Sequence, residues 1–330
     1  MPTIKETSTQ MIQYIFPEYA NPLGTLHGGR LMNWIMIVGG LAASKVAKGA
    51  VVLGATDSID FVNPVKVGEI VVLDSWVEYV GKSSLEVGVR VHSENPETGE
   101  KKLTTSSYLA YVAINKKGKP RTLKEKITPA SEVEESIYLE AQKRKGERLL
   151  RLAQKEKKAK EIIEDESEEL TWKLESLRVV LPEDALFGNL MSVGKLMMDI
   201  DETAGVLAAR FVRGLVVTGS VDNLYLYSPI RVGEVITLKA GLNYVGNTSL
   251  EVGIKVISED LRTGNQKHTG SAFLNFIHIG KDGRPKPVPS FTPKTPTEVK
   301  HWKEAEERRK RRIERVKQIK NSIDSLLPIL

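Results

Sequence analysis

The chain has 330 residues, 41% hydrophobic and 27% charged, enough for two domains of about 130 residues, each with its own core. It has no cysteine, which excludes disulfides, thiolate metal sites and cysteine nucleophiles, and its five histidines (27, 92, 268, 278 and 301) are too scattered to suggest a metal site. Met1 to Gln10 is polar and the most apolar run, Leu31 to Ala43, contains Asn33 and falls short of the ~20 residues of a membrane span, so a cytoplasmic protein without signal or span is expected.

In chain order, a short entry segment and a loop from Pro17 to Leu26 lead into a helix starting near Gly28 or Gly29. Leu31 to Val46 is apolar on nearly every face, the pattern of a buried helix. Extended segments follow at Val51–Phe61, Glu69–Val80, Leu85–Ser93 and Lys101–Ile114, rich in Val, Ile, Tyr and Thr and separated by Pro and Gly turns. They read as antiparallel strands, so a sheet wrapped around one helix is expected. A charged stretch opens at Thr128-Pro129-Ala130-Ser131, where Thr128 or Ser131 caps a helix of about 30 residues interrupted in pattern by Gly146.

The same order then repeats. Shifting the numbering by 165 places Pro17 on Pro182, Gly29 on Gly194, Asp57 on Asp222 and Pro64 on Pro229. It also places Ser84-Leu85-Glu86-Val87-Gly88 on Ser249-Leu250-Glu251-Val252-Gly253, with no insertion or deletion over more than 100 residues. This is a duplicated domain rather than a turn of a solenoid. The second copy ends in a helix capped at Thr295-Pro296-Thr297-Glu298. Between Lys300 and Lys320 it carries ten basic and four acidic residues, an excess equal to the whole net charge of +6. A nucleic-acid-binding tail is one reading of that segment, and a helix laced with i,i+4 charge pairs is the preferred one. The division expected is 1–128 and 171–294 for the two domains, with a charged helical linker at 129–170 and a basic helix at 295–330.

The run Asn21-Pro22-Leu23-Gly24-Thr25-Leu26-His27-Gly28-Gly29 ahead of an apolar helix resembles the entry motif of hotdog-fold acyl-CoA thioesterases. Ala55 to Phe61 with Pro64-Val65 and Val67-Gly68-Glu69, and the loop Gly81 to Val87, resemble that family's next two stretches, and Val112-Ala113-Ile114 its last strand. The resemblance covers Met11 to Pro120 and Thr171 to Pro287, and is nearest to the tandem, cytosolic long-chain acyl-CoA hydrolases. It implies an α+β architecture of two hotdog domains, each an antiparallel sheet wrapped around a central apolar helix, paired side by side. It also implies active sites shared across the pair, acyl-CoA as substrate with no cofactor beyond it, and assembly into a trimer of double hotdogs.

The copies differ where the family places its functional residues. Asn21 in the first loop corresponds to Leu186, and Asp201 on the second helix corresponds to Met36. Each copy keeps the half that the other lacks, so one composite site, Asn21 with Asp201, is expected to work and its reciprocal to be silent. A carboxylate on an apolar helix is desolvated and made a stronger base toward water, or less readily a nucleophile. The backbone N–H groups of His27, Gly28 and Gly29 are read as unpaired donors for an oxyanion, with the His27 ring itself secondary. Thr56, Lys82, Ser83 and Ser84, with Asn247, Thr248 and Ser249 of copy two, are candidates for lining the CoA channel, and Lys82 for meeting a phosphate. Asp57 and Asp222 recur unchanged and are read as structural. The alternative function is a non-catalytic, regulatory acyl-CoA-binding protein, which the departure of Leu186-Phe187-Gly188-Asn189 from the motif favours.

Overall fold

A computed structural model describes residues 1–160 and 166–322. The parts of the expected linker and basic helix at 161–165 and 323–330 lie outside the described residues. The first copy runs β1 (Thr9–Tyr14), α1 (Gly28–Ala47), β2 (Val51–Thr56), β3 (Ile59–Asp60), β4 (Ile70–Val80), β5 (Ser84–Glu94) and β6 (Lys101–Ala113). After α2 (Glu132–Lys160), the second runs β7 (Lys173–Val179), β8 (Ala185–Phe187), β9 (Leu190–Met191), α3 (Val193–Val212), β10 (Leu215–Leu226), β11 (Val235–Val245), β12 (Ser249–Asp260) and β13 (Asn265–Ile279), and α4 (Pro296–Ser322) closes it.

Eleven strands form one sheet in the order β1-β4-β5-β6-β2-β10-β13-β12-β11-β7, with β3 joined to β10, and β8 and β9 pair as a separate ribbon. Each half wraps its own central helix. In α1, 14 of 20 residues are buried, as expected for a helix without a polar face. The halves meet where β2 and β3 of copy one pair antiparallel with β10 (Tyr225 opposite Ala55, Ser220 opposite Asp60, Val221 opposite Ile59) and where α1 packs along α3. This is the paired hotdog arrangement that the motifs imply.

The segment expected to be one strand, Val51–Phe61, is two. The Asp57 N–H still bonds the Tyr108 carbonyl of β6 at 2.9 Å, after which Ile59–Asp60 crosses to pair with the other copy. The break falls at Asp57, whose carboxylate is drawn by Arg148 of α2 at 2.9 Å.

The long charged helices lie on the outer face of the sheet, one per copy. Ser131 caps α2, its Oγ accepting the Glu134 N–H at 3.2 Å, and the helix runs straight through Gly146. Thr295 caps α4 in a reciprocal box with Glu298. Their arginines reach buried sheet carboxylates. Arg144 pairs with Glu78 and Arg148 with Asp57 and Glu86, while Arg308 pairs with Glu251, Arg312 with Asp222, and Arg315 with both Asp60 and Asp222. The basic helix is therefore a brace: Arg308, Arg312 and Arg315 are held by the protein's own acids.

Candidate active site

The site is built where the first turn of α1 meets the middle of α3. Asp201 is buried at 2% exposure, while its neighbours on α3 face elsewhere: Asp199 binds Arg178 and Glu202 is exposed. Successive helical residues point in different directions, so only one of the three can enter the seam. Asp201 Oδ2 accepts the Gly29 N–H at 2.7 Å, and Oδ1 accepts the Thr218 hydroxyl of β10 at 2.7 Å. His27 Nδ1 stands 3.5 Å from Oδ2. A carboxylate of copy two thus caps the positive end of a helix in copy one. Burial pushes the Asp201 carboxyl above the usual carboxylate range, against the pull of the His27 ring, the Thr218 hydroxyl and the Gly29 N–H.

The glycines are what allow this approach. A Cβ on Gly28 would lie 2.7 Å from Thr218 Oγ1, and one on Gly29 would lie 3.0 Å from the Met198 Cα and 3.1 Å from the Asp201 Cβ. A side chain at Gly28 would collide with Thr218 of β10, and one at Gly29 would press α1 against α3.

The oxyanion donors need correcting. The His27 N–H is not free: it donates to the Tyr19 carbonyl at 3.0 Å, because the loop folds back on the entry segment. The Gly29 N–H is taken by Asp201. Among the described residues, Gly28 is the one of the three whose N–H has no partner.

Asn21 opens the loop before α1. Its Oδ1 accepts from the Leu23 N–H at 2.9 Å and from Thr25, and its Nδ2 donates to Thr25 Oγ1 at 2.9 Å. Among the described residues no hydrogen bond joins Asn21 to Asp201. One of the two Nδ2 hydrogens is used within the loop, which leaves the other.

At the reciprocal position no carboxylate enters the seam. Met36 replaces Asp201, Leu53 replaces Thr218, Val193 replaces Gly28 and Ser192 replaces His27, both Met36 and Leu53 are buried, and the polar group against Gly194, the counterpart of Gly29, is the neutral amide of Asn33. The Tyr111 hydroxyl donates to the Met36 carbonyl at 2.6 Å and stands where copy two has Phe276.

A model of the thioesterase superfamily matches residues 23–100 and 188–265, two segments related by the same 165-residue shift. The cytosolic acyl coenzyme A thioester hydrolase of Rattus norvegicus is 30% identical over 303 residues, covering 88% of this chain and 79% of its own. The chain belongs to the acyl-CoA thioester hydrolases. Protein VdlD of Helicobacter pylori is similar to a single copy, 41% identical over 127 residues that cover 38% of this chain and 72% of its own. A solved Lactobacillus plantarum structure, 8% identical with a TM-score of 0.57, covers 86% of this chain and 97% of its own and shows the fold alone.

Among the described residues, none of the others singled out in this hydrolase is hydrogen-bonded to Asp201. Thr56 is buried, its hydroxyl donating to the Asp57 carbonyl at 2.8 Å. Lys82, Ser83 and Ser84 form the turn between β4 and β5, and Asn247, Thr248 and Ser249 the matching turn between β11 and β12. Each turn is pinned by the segment after its copy's last strand: the Lys82 carbonyl accepts the Leu123 N–H and the Asn247 carbonyl accepts the Val288 N–H. The ends of both Lys82 and Asn247 are exposed. Asp57 and Asp222 are held by the outer helices rather than within the sheet. No helix of the described residues is long and apolar enough to cross a membrane, and none of their His, Asp and Glu form a group of three that could hold a metal.

Proposed function

We propose that the chain hydrolyses acyl-CoA to a free carboxylic acid and CoA at one composite site, with Asp201 as general base and Asn21 as its partner from the other copy. The observation that carries this reading is a single buried carboxylate of copy two set against the start of α1 in copy one, with Met36 in its place at the reciprocal position. Asp201 takes a proton from water as the water oxygen bonds to the thioester carbon. The carbonyl oxygen becomes an oxyanion, which the free Gly28 N–H and the positive end of α1 suit. The remaining Nδ2 hydrogen of Asn21 orients the water or the thioester. When the C–S bond breaks, the proton held by Asp201 passes to the CoA sulfur, which leaves the acid and the thiol.

Lys82 is proposed to meet a CoA phosphate, with Ser83, Ser84 and Thr56 along the approach and Asn247, Thr248 and Ser249 in the matching turn. On the same footing we propose a cytoplasmic location, the division into 1–128, 129–170, 171–294 and 295–330, and assembly into trimers. Release of free thiol from a panel of acyl-CoAs tests the reading. Asp201→Asn and Asn21→Ala should each lower kcat by about 10²–10⁴-fold, the usual worth of a positioned acid–base group, while Met36→Ala and Leu186→Ala keep most of the turnover. Full activity in Asp201→Asn would remove the composite site.

A further inference from the structure

The seam that carries Asp201 has a second face. On the inner face Thr218 of β10 donates to Asp201, and on the outer face one arginine of α4 spans the same junction between the copies. Arg315 donates from Nε to Asp60 Oδ2 at 2.9 Å and from Nη2 to Asp222 Oδ1 at 2.7 Å. Asp60 belongs to β3 of copy one and Asp222 to β10 of copy two. Both carboxylates are buried, at 2% and 4% exposure. Burial pushes the Asp60 carboxyl above the usual range, the Arg315 guanidinium pulls it back, and the neighbouring Asp222 adds to the rise. Arg312 holds Asp222 as well, whereas Arg315 is the one ion-pair partner of Asp60 among the described residues. Loss of Arg315 would leave Asp60 buried, unpaired and facing a like charge across the junction, which is costly.

That junction sets the aim of Thr218. The register of β10 on β13 slips between Thr218 and Ser220, a bulge at Gly219. Bulges beside active sites turn a side chain to a new direction. On its other side the bulge is held by copy one. The Phe61 N–H bonds the Gly219 carbonyl at 3.0 Å, and Ser220 and Val221 pair with Asp60 and Ile59. β3 is two residues long, so its backbone pairing is a small hold. The Ser220 hydroxyl is buried and makes no hydrogen bond among the described residues. Arg315 therefore supplies the side-chain link between β3 and β10, at a register position two residues past Thr218.

The copies diverge here too. Gly219 corresponds to Gly54, and β2 slips at the same place, between Leu53 and Ala55. Asp60, however, corresponds to Tyr225, which offers no carboxylate to clamp. The bulge is common to both seams, and the clamp goes with the seam that keeps Thr218 and Asp201.

We propose that Arg315 is a positioning residue for thioester hydrolysis. By bridging Asp60 and Asp222 it fixes the bulge at Gly219, and with it the bond from Thr218 to Asp201. Among the described residues it makes no hydrogen bond to Asp201, Thr218 or Asn21 itself. The basic helix then serves the reaction as well as the fold. This role rests on the composite site proposed above and adds to it a residue from the far face of the sheet.

Thiol release measured across pH tests it, with circular dichroism confirming that each variant is folded. Arg315→Ala should move the acidic limb of kcat/KM to higher pH by up to about one pH unit, a loss of up to about tenfold on that limb and less above pH 8. In a Thr218→Val background the same change should have little further effect, because the bond it positions is already gone. Asp60→Asn keeps the shape of the junction and removes the ion pair across it, so the limb should move the same way by less. That variant carries the test if Arg315→Ala does not fold. Arg312→Ala leaves Arg315 on both carboxylates and should leave the limb in place. A wild-type limb in folded Arg315→Ala or, failing that variant, in Asp60→Asn overturns the proposal and leaves the composite site standing. So does a loss that is equal at every pH and undiminished in the Thr218→Val background. Full activity in Asp201→Asn removes the composite site and this role with it.

Discussion

Asp201 Oδ2 accepts the backbone N–H of Gly29, a residue 172 positions earlier in the chain, at 2.7 Å. A helix start has unpaired N–H groups that favour an anion, and here the anion comes from the other copy of the duplicated domain. The same bond holds the carboxylate in place and ties the two halves together.

The first prediction concerns what that carboxylate does to stability. Burial raises the Asp201 pKa. A group raised on folding favours the folded state while protonated, and that contribution is lost as pH rises through its folded value. Once ionised, the buried carboxylate therefore works against the fold. Asp201→Asn should raise Tm at pH 7 by a few degrees while turnover falls, and the gain should shrink as the pH approaches the ordinary aspartate value of about 3.9. Thermal scans across that range check it, and an unchanged or lowered Tm at pH 7 contradicts it.

Thr218 supplies the second. Its hydroxyl is one of the two direct hydrogen-bond donors that favour the ionised Asp201. Thr218→Val keeps the shape and removes the donor, so the carboxyl should rise further. The acidic limb of the kcat/KM profile should move to higher pH, with activity at high pH reduced less than at pH 6. A uniform loss at every pH would instead point to misplacement of the strand.

The third rests on space. Gly28→Ala puts a methyl 2.7 Å from Thr218 Oγ1, and α1 must shift to admit it. A displacement near 1 Å at a reacting centre costs about 10²-fold in rate. Val193 at the equivalent start of α3 already carries a side chain, so Val193→Ala should leave thiol release nearly unchanged. Equal losses in the two variants would deny that the seam is asymmetric.

The fourth tests the outer braces. Arg312 and Asp222 are both buried and 2.6 Å apart. Removing one partner of an isolated buried pair typically costs about 3–5 kcal/mol, because a charge is left uncompensated. Arg315 stays on Asp222 at 2.7 Å, so Arg312→Ala should cost less than that in denaturant titrations. Arg312→Ala together with Arg315→Ala, which strips Asp222 of both cations, should bring the loss to that order or beyond. If the basic helix instead served nucleic acid, Arg312→Ala would change retention on a polyanion column more than it changed unfolding.

The fifth follows from a difference between the braces. Glu78 is buried under Arg144, and burial pushes its carboxyl up to about 7, while its counterpart in copy two is the neutral Asn243. Because the folded value is the higher one, the contribution of protonated Glu78 is complete below about 4.5 and is lost as pH rises through 7. The protein should lose stability between pH 6 and pH 8, and Glu78→Gln should flatten that slope.

Much of this was legible in the chain because the duplication acts as its own control. The central helices, the antiparallel strands that follow them and the opposition of Asp201 to Met36 all follow from the 165-residue register. Thr218 was missed although the same register sets it opposite Leu53, a polar residue against an apolar one, and reading every such substitution along β10 would have found it. The His27 donor was misread because its bond to the Tyr19 carbonyl depends on how the loop folds back, which spacing does not record. What the outer helices hold was not legible in their charge. Their arginines correspond at a shift of 164 (Arg144 with Arg308, Arg148 with Arg312), so the register that reveals the domains hides the equivalence of the helices.

Joining the two copies in one chain has a consequence for how such a protein changes over time. In a dimer of identical chains every substitution appears twice, so neither seam can be altered without altering the other. Here each seam drifts by itself. The seam of Met36 and Leu53 is free of the buried carboxyl that the seam of Asp201 and Thr218 carries, and the molecule bears the cost of burying one between its helices once rather than twice.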